Sequence, residues 1–430
     1  MIEAAAFALR WLHVVAAIAW IGESFYFVML DRSLTPTADP GSGLVGESWS
    51  VHGGGFYHKR KYMPAPAQLP EVLHWSKWKS YTTWLSGFAL FAVLYLSTPN
   101  LYLIDPAVAA LSPAQAIGIA FAFLLLGWFV YDGLCRALAS HPAALGAALS
   151  VLVLLLCYGA THLFAGGAAF LLVGATLATL MSGNFFFVII PGQKRLVAAL
   201  KQGQLPDPLA GLRGKQRSVH NTYFTLPVLF AMLSNHYPIA YAHEHSWLIL
   251  AVFMAVGAAI RQFFVLWHGG QRAWWLLAGS ALALLGVFAY LAPPQEGGDP
   301  ARSGVAAPMR ANARLAETAM LVLALPSTTS EAPHTATARP VAPLATDTPA
   351  IHAIVQQRCG ACHSAHPSLV ASAPKGVMFD SPAQLQARAA MIYRQAVQLR
   401  VMPPGNMTHL SEAERAAIAR WYETSPDVVK

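Results

Sequence analysis

The chain has 430 residues, of which 56% are hydrophobic and only 11% are charged. Apolar runs of about 20 residues recur along the first two thirds of the chain, and a helix of this length crosses a lipid bilayer. The formal net charge is +8, but half of the 28 lysines and arginines lie in the loops between the apolar runs, where they set orientation, so we exclude a nucleic-acid-binding surface.

Eight apolar segments predict an all-α polytopic membrane bundle of eight transmembrane helices over residues 1–291. The first segment is too long for the apolar part of a signal peptide and lacks a small-residue cleavage site. We therefore expect it to remain as the first helix. The predicted spans are 4–30, 80–98, 114–131, 143–164, 167–190, 219–237, 246–267 and 273–291.

The placement of positive charge predicts which loops face the cytoplasm. Loops 31–79 and 191–218 are rich in Lys and Arg, whereas loops 99–113, 165–166 and 238–245 contain neither residue. The positive-inside rule places the first two in the cytoplasm and the other three outside. With an even number of spans, the N-terminus and everything after the last span are predicted to lie in the periplasm of a bacterial inner membrane.

Ionisable and amide side chains inside the predicted spans indicate function, because each is costly in a bilayer without a partner or a purpose. On the inner half lie Glu23, His220 and Arg261, together with the amides of Asn184 and Asn221. One interpretation is that Glu23 and Arg261 form an ion pair. The other is that Arg261 and the amides bind a planar, anionic heterocycle, because a guanidinium offers a bidentate fork.

His13 lies on the outer half of the first span, in the string W-L-H-x₆-W-I-G-E. One interpretation makes it a ligand of a b-type haem that relays electrons across the bundle. The alternative is that the imidazole only hydrogen-bonds to neighbouring groups.

Residues 292–345 are rich in Pro, Ala, Thr and Ser, which predicts a linker. The apolar patch at 320–325 is too short to span a bilayer, and a ninth span would move the tail to the opposite side.

Residues 346–430 contain the string C-G-A-C-H, in which Cys359, Cys362 and His363 have the spacing of a c-type haem attachment site. The two thiols add to the vinyl groups of one covalent haem c, and the imidazole binds the iron. Met402, at the head of M-P-P, is the predicted sixth ligand, with Met407 as the alternative. A zinc site is the competing interpretation, but no second Cys/His pair follows at zinc-finger spacing.

The tail is predicted to be a small helical cytochrome domain with helices at 349–359, 382–400 and 411–424. The last helix begins at Ser411, and Glu414 three residues later completes a capping box. We expect Leu410, Ile418, Trp421 and Tyr422 to pack this helix onto the edge of the haem.

Several long strings resemble the bacterial membrane-bound urate hydroxylases that carry a C-terminal cytochrome c domain. The resemblance covers residues 10–290 and the haem tail. The first span alone also resembles small haem-binding protoporphyrinogen oxidases. The strings are W-L-H-V-V-A-A-I-A-W-I-G in span one, H-G-G-G-F-Y at 52–57, L-H-W-S-K-W-K-S-Y-T-T-W-L-S-G-F at 73–88, F-F-F-V-I-I-P-G-Q at 185–193 and K-Q-R-S-V-H-N-T-Y-F-T-L-P-V-L-F at 215–230.

The resemblance implies oxidation of urate to 5-hydroxyisourate, with electrons leaving through haem c to a cytochrome or terminal oxidase of the respiratory chain. On this interpretation Glu23 or His220 takes the proton and Arg261 holds the urate anion. No flavin or dinucleotide fingerprint follows a strand.

Two other functions compete with urate oxidation. A membrane-anchored electron carrier would serve a partner dehydrogenase or oxidase, but a single helix would suffice to anchor it. A transporter would need Gly- or Pro-broken spans in matched halves, and only Pro227 qualifies.

Overall fold

The protein is mostly helical, and it is described here from a computed structural model. The described residues are 2–36, 43–63, 65–106, 108–234, 237–291, 348–369, 373–374 and 377–424. The predicted linker therefore lies almost entirely outside the described residues.

The membrane part consists of long helices joined by short loops. Helix α6 continues through a π-helical turn at Asn184–Ile189 into α7, and α2 ends in a π-helical turn at Ala92–Leu96. The helices are α1 (Ile2–Arg32), α2 (Trp78–Phe91), α3 (Pro99–Tyr102), α4 (Pro113–Ala137), α5 (Pro142–Thr161), α6 (Gly166–Gly183), α7 (Ile190–Lys201), α8 (Pro208–Leu233), α9 (Pro238–Tyr241), α10 (Ser246–His268) and α11 (Trp274–Leu291).

Each of the eight predicted spans overlaps at least one of these helices. Within the described residues, six helices are long and apolar enough to cross a membrane by length and composition. The predicted spans at 80–98 and 219–237 fall outside that set. Helix α2 has only 14 residues before its π-helical turn, and α8 carries Arg213, Lys215 and Arg217 in its first half. The count of eight spans stays a prediction.

Local sequence signals explain where the long helices begin. At the start of α4, the Ser112 hydroxyl accepts a hydrogen bond from Gln115 N, and the Gln115 side chain accepts one from Ser112 N at 2.9 Å. Pro113 occupies the first helical position, where its missing N–H has no cost. Asp207 caps α8 in the same way, with Pro208 following it and Leu209 N donating at 2.9 Å.

Helix α6 forms the centre of the bundle, because α4, α5 and α8 all pack against it. Small residues allow the closest approaches between helices, as expected where dispersion rather than the hydrophobic effect drives association. A Cβ atom at Gly174 would lie 2.7 Å from Ala231 Cβ, and one at Gly257 would lie 2.9 Å from Pro227 Cδ. The α8–α10 contact therefore depends on a glycine opposite the proline.

A two-stranded antiparallel hairpin corrects the prediction of an all-α chain. It comprises β1 (Leu44–His52) and β2 (Gly55–Tyr62), with Trp49 opposite His58 and their rings stacked at 4.2 Å. The two turn residues, Gly53 and Gly54, have positive φ, which the right-handed twist of a tight hairpin requires. An ion pair of 2.7 Å between Lys61 and Asp31 ties the hairpin to the end of α1.

The three loops that lack Lys and Arg gather at one end of the bundle. Ala165 N donates to Leu103 O at 3.1 Å, which joins loop 165–166 to loop 99–113. Gly166 lies against the backbone of Tyr241, which joins the same region to loop 238–245.

The tail forms a small helical unit around its own apolar core. Its elements are α12 (Thr348–Cys359), α13 (Pro382–Ala387), α14 (Ala389–Ile392), a π-helical turn at Tyr393–Gln398, a 3₁₀ turn at Pro404–Asn406 and α15 (Glu412–Thr424). The predicted helix at 382–400 is therefore interrupted, whereas the capping box forms: Ser411 N donates to Glu414 Oε2 at 2.7 Å. Leu410, Ile418 and Trp421 are buried in this core.

The contact between Gly257 and Pro227 predicts a selective loss of stability. We expect Gly257→Val to lower the free energy of unfolding by about 1–3 kcal/mol, because the new methyl groups overlap the proline ring. Thermal unfolding in detergent, followed by tryptophan fluorescence, measures the change. Gly146→Val on α5 is the matched control, because a Cβ there meets nothing within 4 Å. Equal midpoints for the two variants would contradict the prediction.

Candidate functional site

The C-G-A-C-H string forms the C-terminus of α12 and the turn that follows it. Cys362 N and His363 N both donate to Cys359 O, at 3.1 and 2.8 Å, so the two thiols and the imidazole are presented by one compact turn. Neither cysteine is in a disulfide. Burial, followed by the neighbouring Cys362 thiol, raises the pKa of Cys359 to about 12.

One ring nitrogen of His363 is held by a backbone carbonyl. Its Nδ1 lies 2.9 Å from Val377 O, and because a carbonyl only accepts, the proton is assigned to Nδ1. The other ring nitrogen, Nε2, then keeps its lone pair, as an iron ligand would need. A ligating histidine usually donates its second nitrogen to a carbonyl in this manner. Phe379 packs against the ring at 5.2 Å between centroids.

The loop that carries Met402 is fixed to α12 and α15 by the buried Arg415 and the half-buried Arg358. Arg415 donates to Met402 O at 3.2 Å, to Asn406 Oδ1 at 3.2 Å and to Ala396 O. Arg358, which immediately precedes Cys359, donates to Thr408 O at 2.9 Å. The predicted sixth ligand and the predicted attachment site are therefore held by one hydrogen-bonded framework.

The donor set fits haem better than zinc. Among the described residues, no group of three or more His, Cys, Asp or Glu side chains is gathered so as to hold a metal ion. A tetrahedral zinc site would lack its remaining ligands. Two free thiols followed by one oriented imidazole are what covalent haem requires.

A buried polar network links α4, α8 and the π-helical turn at Asn184 in the membrane part. Asn184 donates to Tyr131 Oη at 2.9 Å and to Asn221 Oδ1 at 2.7 Å, and Asn221 donates to Met181 O at 3.1 Å. Tyr131 Oη also lies 2.9 Å from Nδ1 of His220. The network fixes the His220 ring and directs its Nε2 away from these partners. A π-helical turn at such a position is frequently associated with a functional site.

A charged pair closes one side of this network. Arg217 donates to Asp132 Oδ1 at 2.6 Å and to Asn184 Oδ1 at 3.4 Å, and its guanidinium lies 4.9 Å from the Tyr131 ring centroid. The side chain of Arg217 is 4% exposed. Asp132 also pairs with Arg136 at 2.7 Å, but that arginine side chain is 75% exposed. The buried Arg217 therefore depends on Asp132 for its charge balance, whereas the exposed Arg136 does not.

Arg261, on α10, is buried with fewer hydrogen-bond partners than its guanidinium has donors. It is 3% exposed, and its Nε and Nη2 atoms have no hydrogen-bond partner among the described residues. The guanidinium carbon lies 4.1 Å from the centroid of the Phe25 ring. Next to it, Tyr223 donates to Gln262 Oε1. A buried cation with free donors beside an aromatic face is suited to a flat anion.

Glu23 does not pair with Arg261. Its carboxylate accepts from Lys79 at 2.8 Å and from the Ser76 hydroxyl, both at the start of α2. The sequence hypothesis of a Glu23–Arg261 ion pair is therefore wrong, and Arg261 keeps its free donors.

His13 contacts the residues of α2. Its Nδ1 lies 3.0 Å from Thr83 O and 3.2 Å from Ser86 Oγ, which again assigns the proton to Nδ1 and leaves Nε2 free. A Cβ at Gly87 would lie 2.8 Å from His13 Cε1, so the ring fills the space that this glycine provides. A b-type haem bound by this imidazole stays a prediction.

Sequence reasoning missed three members of the polar network, Tyr131, Asp132 and Arg217. Two signals were available. Asp132 follows a long apolar run directly, and Arg217, His220 and Asn221 are three and four residues apart, which places them on one helix face.

The family described as urate oxidase N-terminal matches residues 1–292, which is more than half of the chain. No curated protein and no solved structure matches the chain.

The different environments of the two arginines at Asp132 predict unequal effects of substitution. We expect Arg217→Gln to lower the unfolding free energy by about 3–5 kcal/mol, because it leaves a carboxylate in the bundle without its buried partner. Arg136→Gln, the matched control, should cost about 1 kcal/mol or less. Thermal unfolding in detergent compares them. Similar costs for both variants would show that Asp132 does not depend on Arg217.

Proposed function

Since the chain belongs to the urate oxidase N-terminal family, we propose that it is a membrane-bound urate hydroxylase that oxidises urate to 5-hydroxyisourate in purine breakdown. Carbon 5 of urate gains the oxygen of a water molecule, and the reaction releases two electrons and two protons. Haem c, when bound at Cys359, Cys362 and His363, accepts one electron at a time, so each turnover needs two transfers. A respiratory cytochrome or terminal oxidase is the final acceptor.

Arg261 is the single observation that carries the substrate assignment. A buried guanidinium without partners is expensive, so its two free donors call for an anionic ligand. Urate is planar and anionic, and the edge of its ring offers adjacent oxygen and nitrogen acceptors to a bidentate fork. Phe25 supplies an aromatic surface beside the fork. Arg261 therefore holds the anion and stabilises negative charge that develops during attack by water.

We assign the proton step to His220. Its Nδ1 is engaged with Tyr131, and its Nε2 remains available for proton transfer. Glu23 is the other candidate, but its carboxylate is already engaged by Lys79 and Ser76. Asn184 and Asn221 position the imidazole through Tyr131, so they act as positioning residues rather than catalytic ones.

We place the haem-carrying tail in the periplasm and the substrate site on the cytoplasmic half of the bundle. Two observations support this topology. Along the chain, loops that contain Lys or Arg alternate with loops that contain neither residue, as the positive-inside rule requires. The tail also contacts the bundle at α3, in one of the loops that lack Lys and Arg.

An anaerobic optical titration tests the proposed reaction. We expect urate to reduce the haem of the oxidised protein, and we expect xanthine and allantoin to leave it oxidised. The control variant Cys359→Ser/Cys362→Ser should lack covalent haem yet still bind urate. If dithionite reduces the haem and urate does not, the chain is better explained as an electron carrier for a partner enzyme.

Substitution of Arg261 tests the substrate site separately. We expect Arg261→Met to raise the dissociation constant for urate by about 10- to 100-fold, because charged hydrogen bonds contribute about 1.5–3 kcal/mol each. Calorimetry with the dithionite-reduced protein measures binding without turnover. Arg272→Met, an exposed arginine at the end of the same helix pair, is the matched control. Unchanged binding in Arg261→Met would remove this arginine from the site.

A further inference from the structure

The loop between α2 and α4 packs against the tail next to the predicted haem ligands. Its short helix α3 contacts the 3₁₀ turn Pro404–Asn406, which immediately follows Met402 and Pro403. Three residues of this loop, Leu101, Leu103 and Ile104, are buried. The loop therefore has a fixed conformation where it meets the tail.

Tyr102 is the exposed member of this otherwise buried segment. Its side chain is 44% exposed, although the residues on both sides of it are buried. Tyr102 is the last residue of α3, the helix that contacts the turn following Met402. An exposed aromatic ring beside this turn is available to cover the edge of a macrocycle bound there.

The turn that α3 contacts belongs to the framework around Met402. Asn406 is part of this turn, and its Oδ1 accepts a hydrogen bond from Arg415 at 3.2 Å. Arg415 also donates to Met402 O at 3.2 Å. The outer loop therefore packs on the segment that holds the predicted sixth ligand.

Two groups of aromatic rings lie along α2 and the segment after it. Spacings of three and four residues place Trp84, Phe88, Phe91 and Tyr95 on one helix face. In the first group, ring centroids are 6.3 Å apart for Phe186 and Trp84 and 5.4 Å for Trp84 and Phe88. In the second, they are 5.6 Å apart for Phe91 and Tyr95 and 5.9 Å for Tyr95 and Tyr102. The first group starts at the π-helical turn that contains Asn184, and the second ends at α3.

We propose that Tyr102, backed by Tyr95, is the contact through which electrons pass from the membrane part to the haem attached at Cys359 and Cys362. The proposal rests on the proposed function. Each of the two electrons released per urate crosses this contact singly and reduces one ferric haem to the ferrous state. Neither tyrosine undergoes a net change, and both protons of the reaction stay at the substrate site.

The physical basis is the steep fall of electronic coupling with distance. Within the two groups, ring separations of 5.4–6.3 Å keep the gaps short, whereas an aliphatic side chain at position 102 would open a gap at the last step. A ring that served only for packing could be replaced by leucine with little effect on electron transfer. If Tyr102 carries electrons, removal of the ring slows haem reduction and removal of the hydroxyl alone does not. If Tyr102 only packs, neither substitution changes the rate.

Stopped-flow mixing of oxidised holoprotein with saturating urate under anaerobic conditions measures the rate of haem reduction. We expect Tyr102→Leu to slow reduction by about tenfold or more, as a small misplacement of reacting groups can. Tyr102→Phe should keep the unmodified rate. Tyr158→Leu, which removes an exposed ring of α5 stacked on His162, is the matched control. An unchanged rate in Tyr102→Leu would overturn the proposal.

Hydroxyl-radical labelling of the holoprotein gives a readout that does not depend on urate. We expect Tyr102 to be protected by the attached haem, whereas Tyr237, which is 61% exposed in another loop without Lys or Arg, should be labelled readily. Equal labelling of the two tyrosines would also overturn the proposal. If Tyr102 is protected but urate never reduces the haem, then the proposed function fails while the contact stands.

Discussion

The interior of a membrane bundle contains no bulk water, so each polar side chain placed there needs a partner from the protein itself. This constraint organises the inner half of the bundle. Asp132 and Arg217 balance each other, and Asn184 satisfies Tyr131 and Asn221. Arg217 leaves its Nε without a hydrogen-bond partner, but its charge is balanced by Asp132. Arg261 leaves both Nε and Nη2 unpaired and forms no ion pair among the described residues. The lack of a counter-charge, together with the free donors, distinguishes Arg261 from the structural network.

Much of the fold could be predicted from the sequence, because the signals concerned are local. Apolar runs located all eight helical segments, and Ser411 with Glu414 marked the start of α15. The hairpin was missed, although Gly53 and Gly54 lie between alternating residues that favour strands. Its lysines and arginines indicate a cytoplasmic loop, and this signal carries no information on secondary structure. The interruption of the predicted helix at 382–400 has no clear local signal.

The candidate site was predictable only where its chemistry is contiguous in the chain. Cys359, Cys362 and His363 lie within five consecutive positions, so their spacing alone indicates haem attachment. Side chains on two helices can pair only if both helices are rotated toward each other and the side chains lie at the same depth in the bundle. The sequence does not encode these two quantities directly. Glu23 therefore pairs with Lys79 rather than with Arg261, and α3 contacts the turn Pro404–Asn406 across two parts of the chain.

The π-helical turn at Asn184–Ile189 has a consequence for how the chain tolerates insertions and deletions. An α-helix advances about 100° per residue, so a wide turn holds one extra residue without rotating the helix beyond it by that angle. Loss of one residue from this segment would let it close into a regular helix. Asn184 and Phe186 would then no longer keep their present alignment with the residues of α7. The number of residues in this six-residue segment is therefore constrained as much as their identity.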